Sequence, residues 1–129
     1  MVDKSKFTER EVEALLPLTP LSFQILLALV DAERHGYGIM KEIERRTKGR
    51  MTTATGPLYL AAQRLMESGL IAESDKRPAP ELDDQRRRYY KLTPFGRAVA
   101  AAEARRMAQL VDVALDKDLV QGRIKISDG

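Results

Sequence analysis

The stretch Thr52–Ile71, TTATGPLYLAAQRLMESGLI, decides the fold. Thr55 offers a hydroxyl N-cap, Gly56 and Pro57 fit a tight helix start, and Gly69 suits the C-terminal exit, so a helix of about four turns is predicted. Leu58, Ala61, Ala62, Leu65 and Met66 recur at i, i+3, i+4, i+7 and i+8, which gives that helix one stripe to bury. The opposite face carries Tyr59, Gln63, Arg64 and Glu67. A hydroxyl, an amide and a guanidinium at helical spacing are the groups that reach phosphates and base edges in a major groove, and Thr52, Thr53 and Thr55 supply hydroxyl donors just ahead of them. By itself the segment reads slightly better as a solvated amphipathic helix. Its neighbours reverse that balance.

Two strands are expected after the helix. Leu70–Glu73 and Arg86–Leu92 flank a polar loop, Ser74–Gln85, that contains two prolines, and two short strands around a loop make a hairpin. The stems of this hairpin bear Lys76 and Arg77 on one side and Arg86, Arg87 and Arg88 on the other, while Glu81, Asp83 and Asp84 sit toward its tip. Basic stems beside a polar helix suit a wing that straddles a nucleic-acid backbone, with these side chains on phosphates. Charge runs are commonly solvated faces, and Asp83 with Asp84 also has the form of an acid/base pair. No nucleophile or metal-ligand set accompanies that pair.

Upstream, Thr8 and Glu11 have capping-box spacing, and Val12, Leu15 and Leu16 form an apolar edge that Pro17 ends, which predicts a short accessory helix. Thr19 and Pro20 open a second helix whose Leu21, Phe23, Ile25, Leu26, Leu27, Ala28, Leu29 and Val30 leave almost no polar face, the mark of a core helix. His35–Gly38 reads as a break and His35 as a surface turn residue, before a third helix marked by Ile39, Met40 and Ile43 that ends near Lys48 and Gly49. Tyr37 is read either as a phosphate contact at a glycine-rich helix start or as a core residue.

Thr93 and Pro94 open the last helix, predicted to run to about Asp116. Phe95, Ala98, Val99 and Ala102 form one stripe, and Met107, Leu110, Val111, Ala114 and Leu115 form another, turned by about 120° from the first at 3.6 residues per turn. The two halves therefore face different partners. The first packs on the chain's own domain, and the second is assigned to a dimer interface, with the N-terminal accessory helix as its other candidate neighbour.

Composition sets the outer limits. With 129 residues, 43% of them hydrophobic, the chain is one domain plus an appendage. It has no cysteine and one histidine, so disulfides, thiolate chemistry and a zinc site are not expected, and no cofactor is. No apolar run suffices to span a membrane and the first ten residues are too charged for a signal peptide, which points to the cytoplasm. From Lys41 to Lys91 there are 12 basic and 8 acidic residues, whereas the rest of the chain is nearly balanced, so the positive excess of the molecule sits where the helix and hairpin are.

These pieces together resemble the PadR family of bacterial transcriptional regulators, named for a repressor that responds to phenolic acids. The carriers are LTPLSFQILLALV at 18–30, HGYGI at 35–39, Gly56, Leu58 and Tyr59 with RLMESGLI at 64–71, and RRRYYKLTPFG at 86–96. After Leu58 and Tyr59 the family often has Pro and, two residues later, Leu; this chain has Leu60 and Ala62. The resemblance implies a mainly α protein with a small β-hairpin, a winged helix-turn-helix plus one C-terminal dimerisation helix. It implies a homodimer that represses by binding a pseudo-palindromic operator in double-stranded DNA, with Tyr37, Gly56, Tyr59, Arg64 and the basic wing residues on DNA. Members often release DNA when a small aromatic or lipophilic molecule binds near the dimer interface. The expected organisation is an accessory helix (1–18), a DNA-binding domain (19–93), a dimerisation helix (94–118) and a tail (119–129). The competing reading is a winged-helix protein-interaction module; an enzyme has only Asp83, Asp84 and His35 to offer.

Overall fold

The computed structural model describes residues 6–75 and 88–120. Their elements run α1 (Glu9–Glu13), α2 (Pro20–Ala28), β1 (Arg34–His35), α3 (Gly36–Arg46), α4 (Thr55–Glu67), β2 (Ile71–Glu73), β3 (Tyr89–Leu92) and α5 (Pro94–Asp116). Three of the four expected hydroxyl caps, Thr8, Thr19 and Thr93, are present. Thr8 accepts from the Glu11 N–H while the Glu11 carboxylate accepts from the Thr8 N–H, and Thr93 accepts from the Gly96 N–H ahead of Pro94.

Helix α2 is the centre. No residue from Leu21 to Leu29 is exposed, and the helix packs against α3, α4 and α5. The core joins Ile25, Leu26, Ile39, Ile43, Leu58, Leu65, Leu70, Ile71 and Val99, all nearly or completely buried. Helix α4 contributes Leu58, Ala62 and Leu65, with Ala61 and Met66 half-buried at the edges of the same stripe. Arg34 closes the end of α2 by donating from Nε to the Ala28 carbonyl at 2.7 Å.

The sheet contains the expected hairpin pairing, β2 with β3, and adds one strand to it. It has three antiparallel strands in the order β1-β3-β2, with Arg34 opposite Tyr90 and Ile71 opposite Leu92. The added strand comes from the segment read as a break: His35 pairs with Tyr89 and also caps α3, its Nδ1 accepting the Gly38 N–H at 2.9 Å. His35 is therefore a built-in cap and not a loose turn residue. Helix α3 ends earlier than Lys48; Lys48 and Gly49 instead form a left-handed turn with φ of 54° and 78°.

A junction behind the sheet fixes α4, β2, β3 and α5 to one another. Helix α4 ends with Gly69 at φ 81°, its N–H bonded to the Met66 carbonyl and the Leu70 N–H bonded to that of Leu65, the pattern that satisfies the last carbonyls of a helix. The Leu70 carbonyl then accepts both the N–H and the hydroxyl of buried Thr93, at 3.1 and 3.0 Å. Helix α5 passes so close that a Cβ on Gly96 would run into that same carbonyl oxygen.

A second fastening was not foreseen. Glu103, fully buried on α5, accepts from Arg106 through both oxygens at 2.7 and 2.9 Å and from the Leu18 N–H at 3.2 Å, which ties the α1–α2 connection to α5. Phe7 adds a ring contact to Phe95 at 5.2 Å. The Arg106 guanidinium, with the Leu18 N–H, holds the Glu103 carboxyl below the ordinary glutamate range despite its burial. A carboxylate depressed in the folded state stabilises above its unfolded pKa, about 4.3, and loses that contribution as pH falls through the folded value. Glu103→Gln should lower stability by about 1–2 kcal/mol at pH 7 and flatten the fall in stability below about pH 4.5, as read by thermal melts between pH 3 and 7. Parallel pH curves for the two proteins would remove the charge from this account.

Candidate nucleic-acid interface

Helix α4 presents its polar face beside the sheet. Tyr59, Gln63 and Met66 of α4 line an open recess whose other wall is Arg88 and Tyr90 of the third strand and its approach. Tyr59 is half-buried and lies over the start of α3, where Gly36 leaves the room: a Cβ there would strike the Tyr59 hydroxyl. Arg88 stands 3.7 Å from Glu73 on the neighbouring strand and remains half exposed. Burial raises the Tyr90 phenol above its usual pKa, with the charge of Tyr59 next in effect, so the recess floor is a neutral hydroxyl-bearing ring.

Tyr37 settles between its two readings. It is 55% exposed at the first turn of α3, stacked 6.4 Å from His35, with the Lys41 ammonium 5.3 Å from its ring centroid. A hydrogen bond with Tyr37 is the main influence raising the Lys41 pKa. Tyr59, Gln63 and Arg88 thus come together in one recess, brought there by the packing of α4 on the sheet, while Tyr37 stands exposed at the start of α3.

The start of α4 corrects the expected cap. Ala54, not Thr55, holds the extended N-cap conformation, and no side chain caps the helix. Thr55 is already helical and exposed, Thr52 is exposed, and the Thr53 hydroxyl is turned to the Ala54 carbonyl at 3.1 Å. No atom beyond its chain neighbours lies within 4 Å of where a Gly56 Cβ would stand. Gly56 does have a local reason to be glycine, since a Cβ before Pro57 disfavours the helical conformation. These residues lie about two turns back along α4 from Gln63 and do not line the recess.

Arg64 is exposed, and its guanidinium makes no ion pair or side-chain hydrogen bond with the described residues. This contrasts with the arginines around Glu42, where Arg45 at 2.8 Å, Arg46 at 3.3 Å and Arg34 at 3.9 Å share one carboxylate. The Arg45 hydrogen bond leads in holding Glu42 below its usual pKa. Arginines on that flank are committed to structure, whereas Arg64 is available. Of the expected wing residues, Lys76, Arg77, Arg86 and Arg87 lie outside the described residues, as do Asp83 and Asp84, and β3 begins at Tyr89 instead of Arg86.

On α5 the second stripe has less cover than the first. Phe95, Val99 and Ala100 are buried, whereas Met107, Val111, Ala114 and Leu115 are half-buried and Leu110 is 56% exposed. The connection after α1 instead meets the helix earlier, where Leu16, Ala102 and Arg106 share a recess. Among the described residues no group of His, Cys, Asp or Glu is placed to hold a metal ion, and no helix is long and apolar enough to cross a membrane.

Three helices packed as α2, α3 and α4, a small sheet edging the third, and a long helix leaving that sheet define a winged helix-turn-helix protein with a C-terminal helix. The sequence profile of the transcriptional regulator PadR-like family matches residues 25–102, and the chain belongs to that family. Its members are transcriptional regulators, not enzymes. Solved structures with the same fold include a PadR family transcription regulator from Clostridium difficile, with TM-score 0.65 and 22% identity over 79% of this chain and 100% of that one. Another is a transcriptional regulator from Clostridium thermocellum, with TM-score 0.61 and 22% identity over 87% and 97%. A curated relative, an uncharacterized protein from Lysinibacillus sphaericus, is 27% identical over 89 residues, or 69% of this chain and 79% of its own length.

Proposed function

We propose that this PadR-like regulator acts as a homodimer that binds a pseudo-palindromic site in double-stranded DNA and represses from it. The observation that carries this reading is the recess that Tyr59 and Gln63 of α4 form with Arg88, with the uncommitted Arg64 next to Gln63 on α4 and Tyr37 exposed at the start of α3. In this reading α4 lies in the major groove, with Gln63 and Arg64 toward base edges, while Tyr37, Tyr59, Arg88 and the threonines before α4 take phosphates. Gly56 lets the backbone approach closely, and Lys76, Arg77, Arg86 and Arg87 extend the phosphate contacts along the wing. Residues 19–93 form the DNA-binding unit, residues 94–118 the dimerisation helix, 1–18 an accessory helix and 119–129 a tail.

The partly covered stripe of Met107, Leu110, Val111, Ala114 and Leu115, with Leu110 exposed, supports the dimer, because an apolar row on a surface helix is stable when a second copy covers it. Two copies place two recognition helices on successive half-sites about one turn of DNA apart. Release by a small lipophilic or aromatic molecule, the usual route in the family, belongs to the same proposal.

The test is binding of the purified full chain to a duplex selected from a random pool, measured against excess unrelated DNA over a range of salt. The expected result is competitor-resistant binding whose affinity falls at least 100-fold, to order of magnitude, between about 50 and 200 mM salt. Binding that vanishes equally with any competitor, or that ignores salt, would transfer the charged face to a protein partner.

A further inference from the structure

Leu60 sits in the middle of the exposed face of α4. It is 51% exposed, and its neighbours at i−4, i−3, i+3 and i+4 are Gly56, Pro57, Gln63 and Arg64, all of them exposed as well. The other exposed apolar side chains of α5, Leu110 and Val113, lie on or beside the stripe assigned to a second copy of the chain. Leu60 has no such neighbour: the stripe that α4 buries is on the opposite side, at Leu58, Ala62 and Leu65. A leucine cannot hold a phosphate, and among the described residues nothing covers its exposed side chain.

Resting on the DNA-binding reading above, we infer that Leu60 is a specificity-determining residue that packs on the C5-methyl group of a thymine in each half-site. The thymine methyl is the apolar group that the base pairs present in the major groove, and a side chain between an amide and a guanidinium that address base edges is where such a group would be met. Gly56 and Pro57, one turn before Leu60, add no long side chain that would hold it away from the base pairs. Gln63 and Arg64, one turn after it, bracket the contact with polar readout, so Leu60 would discriminate thymine from cytosine at one position and leave its neighbours to hydrogen bonds.

The experiment uses the full chain and the duplex selected from a random pool. Each thymine of that duplex is replaced in turn by deoxyuridine, which removes the methyl group and keeps the hydrogen-bonding edge. Affinities are measured for the native protein, Leu60→Ala and Leu60→Ser, with thermal melts confirming that all three are folded. The expected result is one thymine per half-site whose replacement weakens the native protein about fourfold, and about 16-fold when both half-sites are changed, while the two variants bind thymine and uracil duplexes alike. Equal methyl dependence in native and variant proteins, or no methyl-sensitive thymine at all, overturns the assignment and leaves the regulator reading intact. If no duplex is selected over random DNA, both fall together.

Discussion

Arg64→Ala will weaken binding to the selected duplex by about 30-fold or more, with thermal stability unchanged within about 0.5 kcal/mol. The magnitude follows from symmetry. One bidentate arginine contact to a base is worth about 1–3 kcal/mol of discrimination, and a homodimer loses it in both half-sites, so the combined loss is about 2–6 kcal/mol. Stability is spared because the side chain has no partner to abandon among the described residues. Arg64→Lys should recover little, since an ammonium cannot reproduce the planar two-point geometry. Fluorescence anisotropy on specific and unrelated duplexes separates the roles. A base contact is lost only on the specific duplex, whereas a phosphate contact is lost on both and lowers the salt slope by about one per protomer. A variant that binds every duplex as well as the native chain does would take Arg64 out of the interface.

Gly96→Ala is expected to be the most damaging single methyl addition in the chain. The new Cβ would overlap the Leu70 carbonyl oxygen and stand 2.9 Å from both the Leu70 carbonyl carbon and Leu92 Cδ1. That carbonyl cannot step aside, because it is held by two hydrogen bonds from Thr93, whose hydroxyl also donates to the Gly69 carbonyl at 2.6 Å. Moving α5 instead would unseat Phe95 and Val99 from the core. A loss of about 3 kcal/mol or more follows, or a fall in Tm of about 10 °C or more. Gly56→Ala is the control. There the added methyl meets open space and only Pro57 objects, so stability should shift by no more than about 1 kcal/mol. Similar melting points for the two variants would show that the junction is softer than its hydrogen bonds indicate.

Long amphipathic elements with strong end signals were legible in the sequence. Thr93 and Pro94 set the start of α5, and the Leu58-to-Leu65 stripe set the buried side of α4, because hydroxyl caps and helical periodicity act over a few residues and need no tertiary partner. Strand β1 was not legible. Arg34 and His35 are too few to show alternation, and the glycines after them signal a turn; their strand character comes from pairing with Tyr89 and Tyr90, far along the chain. The cap of α4 was misread because a hydroxyl at Thr55 looks like an N-cap, while the backbone turns one residue earlier, at an alanine that has nothing to cap with. The burial of Glu103 was likewise not legible in its alanine-rich surroundings. Its i, i+3 spacing to Arg106 was the available signal, but burial depended on the Leu16–Leu18 segment folding back onto α5. The sequence also separated the exposed face of α4 from its buried one, and it left Tyr37 open between surface and core, since exposure at a helix start depends on what packs beside it.

The junction at Leu70 also has a mechanical meaning. Helix α5 has 23 residues and is about 35 Å long, and its first turn is locked against the end of α4 through Thr93 and Gly96. A rod clamped at one end transmits angle: a tilt of about 5° imposed on its far half displaces the clamped end, relative to the tip, by about 3 Å. That distance is close to the separation between adjacent base pairs, so in the proposed homodimer whatever sets the crossing angle of the two rods would also set whether two copies of α4 stay in register with one duplex.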